Sequence, residues 1–434
     1  MNYSEALSYI EGLNIFGIKL GLSRINRLLE LLGLPQDRYR TIHVTGTNGK
    51  GSTAAMIAGI LCRSGIHTGF YSSPHLVSYT ERVRVDGENI PEQDFADCVL
   101  TIKETIDKMV AAGDECPTQF EVLTAIAFVY FAKRHVEYAV IEVGLGGLLD
   151  STNVITPEIA VITNVTFEHA DKCGGTLEGI AKHKAGIIKD GVPVVTAAAG
   201  MPLEIIRAAA EEKNADVFVY NEDFSAKFMA MVGQNQKIAF SSALLGMNDE
   251  PYELHLLGVH QVENAALAIM TANLIHNVDE RVTNVTISDA LKLVSWPARF
   301  ERLEIGGKTV IVDGAHNPAG MKVLRESLDK YYPTEKRVFL LGILKDKDIN
   351  SMLSILLRME DKVIVTVPNS DRAPSIARLT QAVENYVAKA EPIEKNDEAL
   401  TRALELTADD HILVIAGSLY LVGGVRDMLL RHKG

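Results

Sequence analysis

Short apolar runs alternate with helix-like stretches along most of this chain. In the first half Thr41–Thr45 (TIHVT), Gly69–Ser72, Tyr138–Val143 (YAVIEV), Ile159–Asn164 (IAVITN) and Val192–Thr196 (VPVVT) read as buried strands. Thr53–Ser64, Glu121–Lys133 and Leu177–Ile188 between them carry helical patterns, and Ala265–Ile275 is a further apolar helix. Short, largely apolar strands separated by helices predict a parallel sheet covered on both faces. A second cycle follows Ser295-Trp296-Pro297, with strands expected at Thr309–Asp313, Arg337–Leu341, Lys362–Val367 and Ile412–Ala416. The pattern thus predicts an α/β protein of two domains. Residues 1–297 form a larger, P-loop-type parallel-sheet domain, and residues 298–434 a smaller Rossmann-like α/β domain. The stretch 221–257 reads as β-rich and irregular, without firm boundaries.

Composition supports this picture and excludes several functions. At 434 residues the chain exceeds what one core normally sustains, and its 47% hydrophobic content suffices for two. The net charge of −13, without a basic stripe, argues against nucleic-acid binding. An anionic ligand would have to be held by local donors. Cys62, Cys98, Cys116 and Cys173 show no metal-type or redox-type spacing, and the N-terminus lacks the features of a signal peptide. No apolar run reaches membrane-spanning length. The expectation is a cytoplasmic protein, monomeric, without membrane or nucleic-acid partners.

The most informative segment runs strand, Gly46-Thr47-Asn48-Gly49-Lys50-Gly51-Ser52, helix. Its glycines let the backbone turn and aim N–H groups at an anion, Lys50 adds a charge for the β/γ-phosphates, and the helix N-terminus adds its dipole. Ser52 is placed to ligate Mg²⁺. The spacing departs from the usual nucleotide-binding loop, because Gly51 stands between Lys50 and Ser52. Elsewhere, Glu142 interrupts an apolar strand at its C-terminal end, which suits either a loop cap or a metal ligand. Asp313 ends another strand, where a carboxylate can accept from ribose hydroxyls. Arg299 is a candidate phosphate donor and Asn264 a candidate adenine partner.

The sequence Thr45–Ser52 (TGTNGKGS) resembles the loop of the Mur-ligase superfamily, and its Gly51-Ser52 ending resembles the folate branch, the folylpolyglutamate/dihydrofolate synthases. The likeness continues through Leu20-Gly21-Leu22, Ser72–Leu76 (SSPHL), Glu142–Gly147 (EVGLGG), Asp150–Asn153 (DSTN) and Lys184–Ile188 (KAGII). It includes His260-Gln261 with Asn264, Trp296-Pro297 with Arg299, and Asp313–Pro318 (DGAHNP). The resemblance implies ATP bound by Asn48, Gly49, Lys50, Gly51, Ser52, Thr53, Asn264, Arg299, Asp313 and His316. It implies Mg²⁺ on Ser52, Ser73, Glu142 and His169. It also implies a carbamylated Lys184 orienting a second Mg²⁺, so that Lys50, Lys184 and His169 form the catalytic set. The pterin-bearing substrate is expected beside Gly21, Leu22, Thr118, Gln119, Phe120, Glu121, Leu149, Asp150 and Ser151. Phe120 offers a flat aromatic face there, and Asp150 an acceptor.

The implied reaction joins L-glutamate to a folate or dihydropteroate carboxylate through an acyl phosphate, releasing ADP, with positioning and charge neutralisation as the protein's contribution. A peptidoglycan-precursor ligase and a P-loop ATPase or regulatory module without ligation are the rival readings. One departure stands out: Leu148 occupies the place where the family commonly carries Arg, which leaves substrate range open. Thr166 and Cys173 are also atypical for their stretch.

Overall fold

The computed structural model describes residues 1–17, 19–167 and 172–431, which fold into two compact units. The first comprises Met1–Val232, Lys237–Leu254 and Val262–Val294; the second comprises Gly233–Gln236, His255–Gln261 and Ser295–Gly434.

In the first unit the strands are β1 (Arg40–Thr45), β2 (Thr68–Tyr71), β3 (Val83–Val85), β4 (Glu88–Asn89), β5 (Tyr138–Glu142), β6 (Ile159–Ile162), β7 (Val194–Thr196) and β8 (Val217–Val219). They form one sheet in the order β4-β3-β2-β5-β1-β6-β7-β8. Strands β2, β5, β1, β6, β7 and β8 run parallel. Strands β3 and β4 add an antiparallel edge to this otherwise parallel sheet. Its two-residue turn, Asp86-Gly87, has φ of 52° and 87°, the left-handed pair a tight hairpin demands. The segment 221–257 holds a small sheet of β9 (Ser225–Val232), β10 (Asn235–Ser242) and β11 (Met247–Leu254).

Helices cover both faces of the large sheet. Those of the first unit are α1 (Tyr3–Gly12), α2 (Ser23–Leu31), α3 (Lys50–Arg63), α4 (Glu92–Ala111), α5 (Gln119–Lys133), α6 (Leu177–Ala185), α7 (Met201–Glu212), α8 (Gln261–His276) and α9 (Asn284–Leu291). Helix α5 starts at a capping box between Thr118 and Glu121, and is apolar nearly all round because α1, α2 and α4 enclose it. Phe95, Phe128 and Phe131 are fully buried in that layer; burying each contributes about 1.5–3 kcal/mol. Residues of α6 and α7 pack with Ile162 and Val194 in another cluster.

The second unit repeats the logic with β12 (Glu301–Ile305), β13 (Lys308–Val312), β14 (Lys336–Leu341), β15 (Lys362–Val365), β16 (Ala390–Pro392) and β17 (His411–Ala416), ordered β12-β13-β17-β14-β15-β16. All pairings are parallel except the β12–β13 hairpin, which closes on Gly306-Gly307. Its helices are α10 (Pro318–Tyr331), α11 (Ile349–Leu356), α12 (Ile376–Val383), α13 (Asn396–Leu406) and α14 (Leu419–Arg431).

Candidate functional site

Parallel strands β2, β5, β1 and β6 are neighbours, so the segments leaving their C-terminal ends emerge side by side. These are Ser72–Leu76, Glu142–Ser151, the phosphate loop and Thr163–Thr166. A crevice at this edge is where open α/β sheets bind ligands.

The phosphate loop is built by exclusion of side chains. Gly46 has φ of 150°, and a Cβ there would lie 1.8 Å from Thr163 Oγ1; Gly49 has φ of 83°, and a Cβ there would lie 2.3 Å from Asn264 Oδ1. Helix α3 begins at Lys50, three residues before the sequence pattern suggested, so Lys50, Gly51 and Ser52 form its first turn. Their N–H groups belong to the set a helix leaves without internal acceptors. Lys50 Nζ folds back to donate to the carbonyls of Gly46 (3.0 Å) and Thr47 (3.1 Å). The loop is stitched to the end of β6: Thr163 Oγ1 donates to Asn48 O (2.6 Å), Asn48 N to Asn164 Oδ1 (2.9 Å) and Thr47 N to Asn164 O (2.9 Å). Thr53 is buried, and its hydroxyl has no partner among the described residues.

Glu142 ends β5, pairing in register with Val44 of β1, and is 4% exposed. Ser73 N donates to Glu142 Oε2 at 3.3 Å, so the Ser73 segment and the carboxylate meet. Ser52 is buried on the adjoining helix. His169 lies outside the described residues. Lys184, in the last turn of α6, is 5% exposed and packs near Gly147, where a Cβ would come within 3.3 Å of the Lys184 Cα. Among the described residues no group of three His, Cys, Asp or Glu forms a metal cluster.

The segments expected on the pterin side also converge. Gly21 N donates to Leu149 O at 3.4 Å. Phe120 stands one residue inside α5, its ring against the Gly144 backbone, where a Cβ would come within 2.3 Å of Cζ. Gln119 Nε2 donates to Ile10 O (3.1 Å) and Tyr79 Oη (3.3 Å). Leu22 is partly buried against the helical core. Asp150 is buried and caps the short turn Ser151–Val154: Oδ1 accepts from Thr152 N (3.0 Å) and Thr152 Oγ1 (2.6 Å), and Oδ2 from Leu145 N (2.8 Å). Burial pushes its carboxyl above the ordinary range, against the pull of these donors. Glu121 is committed to structure as well. Its Oε2 accepts from Thr118 N (2.6 Å) and Arg24 Nε (3.1 Å), while Oε1 is buried without a partner among the described residues.

In the second unit a turn presents Arg299 between Ala298 (φ 56°) and Phe300 (φ 49°), both left-handed. Asp313 fastens it, Oδ2 accepting from Phe300 N (2.7 Å) and Oδ1 from Ala315 N (2.8 Å). Burial raises the Asp313 carboxyl, and nearby Arg299 lowers it. His316 Nδ1 donates to Gly314 O at 2.8 Å. Glu301 accepts from Ala298 N (2.9 Å) and is held by both ends of the Arg426 guanidinium (2.7 Å each).

Sequence reasoning missed several anchors: Thr163 and Asn164, which hold the phosphate loop; Arg24, which also donates to Lys19 O (2.8 Å) and so ties the Gly21–Leu22 segment to α5; and His43 and Thr152, 2.8 Å apart beneath Asp150. Only Thr163-Asn164, polar residues directly after an apolar strand, carried a usable signal. A separate cleft of about 550 Å³, lined by Arg40, Glu137, Tyr138 and Arg281, lies at the opposite, N-terminal ends of β1 and β5.

Known proteins resemble this chain in sequence and fold along its whole length. Residues 44–272 match the Mur ligase middle domain, and residues 298–419 the Mur ligase, glutamate ligase domain. The chain is 37% identical to a folylpolyglutamate synthase of Lacticaseibacillus casei, covering 100% of both proteins. It superposes on the crystal structure of a Thermotoga maritima folylpolyglutamate synthase with a TM-score of 0.89 and 36% identity, covering 99% of this chain and 96% of that one. An Escherichia coli FolC structure in complex with DHPP and ADP matches with a TM-score of 0.87 and 28% identity, over 100% of this chain and 99% of that one. The chain belongs to the folylpolyglutamate synthase/dihydrofolate synthase family of Mur-type ligases.

Proposed function

We propose that this enzyme uses ATP to join L-glutamate to the carboxylate of dihydropteroate or a reduced folate, releasing ADP and phosphate. The observation that carries the reading is the phosphate loop, whose Gly46 and Gly49 leave no room for a Cβ, at the same sheet edge as the Gly21, Phe120 and Asp150 segments. In the proposed sequence a substrate carboxylate oxygen attacks the γ-phosphorus of ATP and displaces ADP, giving an acyl phosphate. The glutamate amine then attacks the acyl carbon, its proton leaves, and phosphate departs.

Each side chain's part follows from its placement. The loop N–H groups and Lys50 bind and orient the phosphates and neutralise their charge. Thr163 and Asn164 keep the loop in shape. Arg299, Asp313 and His316 are proposed for the nucleotide, with Asn264 beside Gly49 for the adenine. Ser52, Glu142 and Ser73 make a hard-oxygen donor set that fits Mg²⁺, with His169 proposed as a further ligand from the family pattern. Bound Mg²⁺ would supply Lewis-acid polarisation and charge neutralisation at the phosphoryl oxygens. Lys184, buried in the last turn of α6, is proposed to be carbamylated from the family pattern. Phe120 is proposed to face the pterin, with Gly21, Leu22, Thr118, Gln119, Glu121, Leu149, Asp150 and Ser151 forming the surrounding wall. A cytoplasmic monomer completes the proposal, in keeping with four free cysteines.

The test is ADP release measured with L-glutamate and, separately, dihydropteroate, tetrahydrofolate or a UDP-muramyl peptide. A rate requiring glutamate and a pterin carboxylate is expected. ADP release indifferent to every acceptor would refute ligation, and a requirement for the muramyl substrate would move the enzyme to the sister branch.

A further inference from the structure

Strand β1 leads into the phosphate loop, yet its side chains two and four residues before Thr47 reach the pterin side. His43 and Thr45 share one face of the strand. Thr45 Oγ1 donates to Gly146 O at 2.7 Å, and His43 Nε2 lies 2.8 Å from Thr152 Oγ1, which contacts Asp150 Oδ1 at 2.6 Å. All of these groups are buried and belong to the first unit.

The direction of this chain of hydrogen bonds follows from its end. Both Asp150 oxygens accept backbone N–H groups, from Thr152 (3.0 Å) and Leu145 (2.8 Å), which is the pattern of an ionised carboxylate. The single hydroxyl hydrogen of Thr152 therefore goes to Asp150, and its oxygen accepts from His43 Nε2–H. That fixes His43 as the neutral Nε2–H tautomer, with Nδ1 buried and without a partner among the described residues. Burial, with Lys189 nearby, holds the imidazole neutral down to about 3. A leucine would fill this place without leaving an unpaired acceptor, so the imidazole is of use for its Nε2–H.

We propose that His43 and Thr152 are positioning residues for Asp150, locking the pterin-side carboxylate to the strand that carries the phosphate loop. The proposal rests on Asp150 belonging to the pterin wall. The two sites then share one rigid strut, and the acceptor segment keeps its place relative to the phosphate loop without touching ATP.

Two near-isosteric variants of the full-length enzyme test it. Thr152→Val deletes the hydroxyl and keeps the volume; Thr152→Ser keeps the hydroxyl. Thr152→Val is expected to raise KM for dihydropteroate or tetrahydrofolate about tenfold, equivalent to about 1.4 kcal/mol, with KM for ATP unchanged, and Thr152→Ser to restore the pterin KM to near the parent value. An unchanged pterin KM in Thr152→Val, an equal rise in the ATP KM, or equal impairment of both variants would overturn the proposal. If Thr152→Val does not fold, nitrogen-15 NMR of the unsubstituted enzyme decides. A protonated Nε2 with a bare Nδ1 on His43 is expected, and the opposite tautomer would overturn the chain. A parent enzyme with no pterin-dependent rate would instead refute the ligase reading, an outcome the tautomer measurement distinguishes.

Discussion

Gly49→Ala probes the phosphate loop most directly, because its cost can be assembled from geometry. Gly49 has φ of 83°, and an alanine there costs about 1–2 kcal/mol in left-handed strain. Its Cβ would come within 2.3 Å of Asn264 Oδ1 and 3.0 Å of Cγ, so the amide must leave its rotamer at about 1 kcal/mol more. The sum is about 2–3 kcal/mol, read as a lower urea midpoint with unchanged slope. Since Gly49 caps α3, displacement of the loop amides should also raise KM for ATP at least tenfold in the ADP-release assay, equivalent to about 1.4 kcal/mol. The steric share is separable. In an Asn264→Ala background the obstacle is gone and only the backbone strain remains, so the double variant should be about 1 kcal/mol more stable than the sum of the single costs. Strict additivity within about 0.5 kcal/mol, or a Gly49→Ala enzyme as stable as the parent, would refute the close-approach argument.

Lys50→Met should lower kcat/KM for ATP at least a hundredfold, about 2.7 kcal/mol, while leaving the melting temperature near that of the parent, because among the described residues Lys50 Nζ hydrogen-bonds two loop carbonyls. Arg426→Met removes the guanidinium from Glu301, only 16% exposed, and loosens the turn presenting Arg299; about 1–3 kcal/mol should be lost on urea unfolding, with a raised KM for ATP. His43 gives a signed pH effect. Its folded pKa of about 3 lies below the ordinary 6.5, so the unfolded chain takes up a proton that the folded one refuses. The stability it contributes is complete above pH 6.5 and is lost as pH falls towards 3; at pH 5 the loss is about 2 kcal/mol. A His43→Gln variant should show a shallower decline between pH 7 and 5 in urea titrations, and a slope equal to the parent's would count against a neutral buried imidazole.

The parallel strands were legible because strands buried on both faces are continuous apolar runs, and β5 or β17 cannot be mistaken for a surface element. The pieces that escaped notice obey other rules. Strands β3 and β4 are only three and two residues long, too short for any period, though Asp86-Gly87 announced their turn. Strand β12 alternates Arg302 and Glu304 with buried Leu303 and Ile305, a half-exposed edge pattern unlike its neighbours. Strand β9 is the reverse case, with Met229, Met231 and Val232 all exposed, so apolar character there did not mark an interior. At the site, the phosphate loop was legible because its chemistry is backbone chemistry, which demands glycines at fixed places. Asp150 read as a ligand acceptor; that its oxygens also hold the turn that follows it was not legible, because those bonds go to the backbone of Leu145 and to Thr152. His43 was invisible for a different reason: a histidine inside an apolar strand looks like core, and its partner Thr152 is 109 residues away.

That long-range pairing bears on why β1 cannot slip. In its register Val44 faces Glu142 of β5 and Ile162 of β6 faces Thr45. A shift of one residue would invert every side chain, turning His43 and Thr45 away from Thr152 and Gly146. In most sheets such a slip is resisted because apolar side chains would face water. Here β1 is buried on both faces from Thr41 to Thr45, so inversion would expose no apolar surface, and hydrophobicity alone discriminates weakly. The polar contacts supply the discrimination: inverted, the His43 ring and the Thr45 hydroxyl would be buried without these partners, each at about 1–3 kcal/mol. The bonds that fix the register are thus bonds that hold the segment after β5, and the alignment of β1 with β5 and the placement of Asp150 share these contacts.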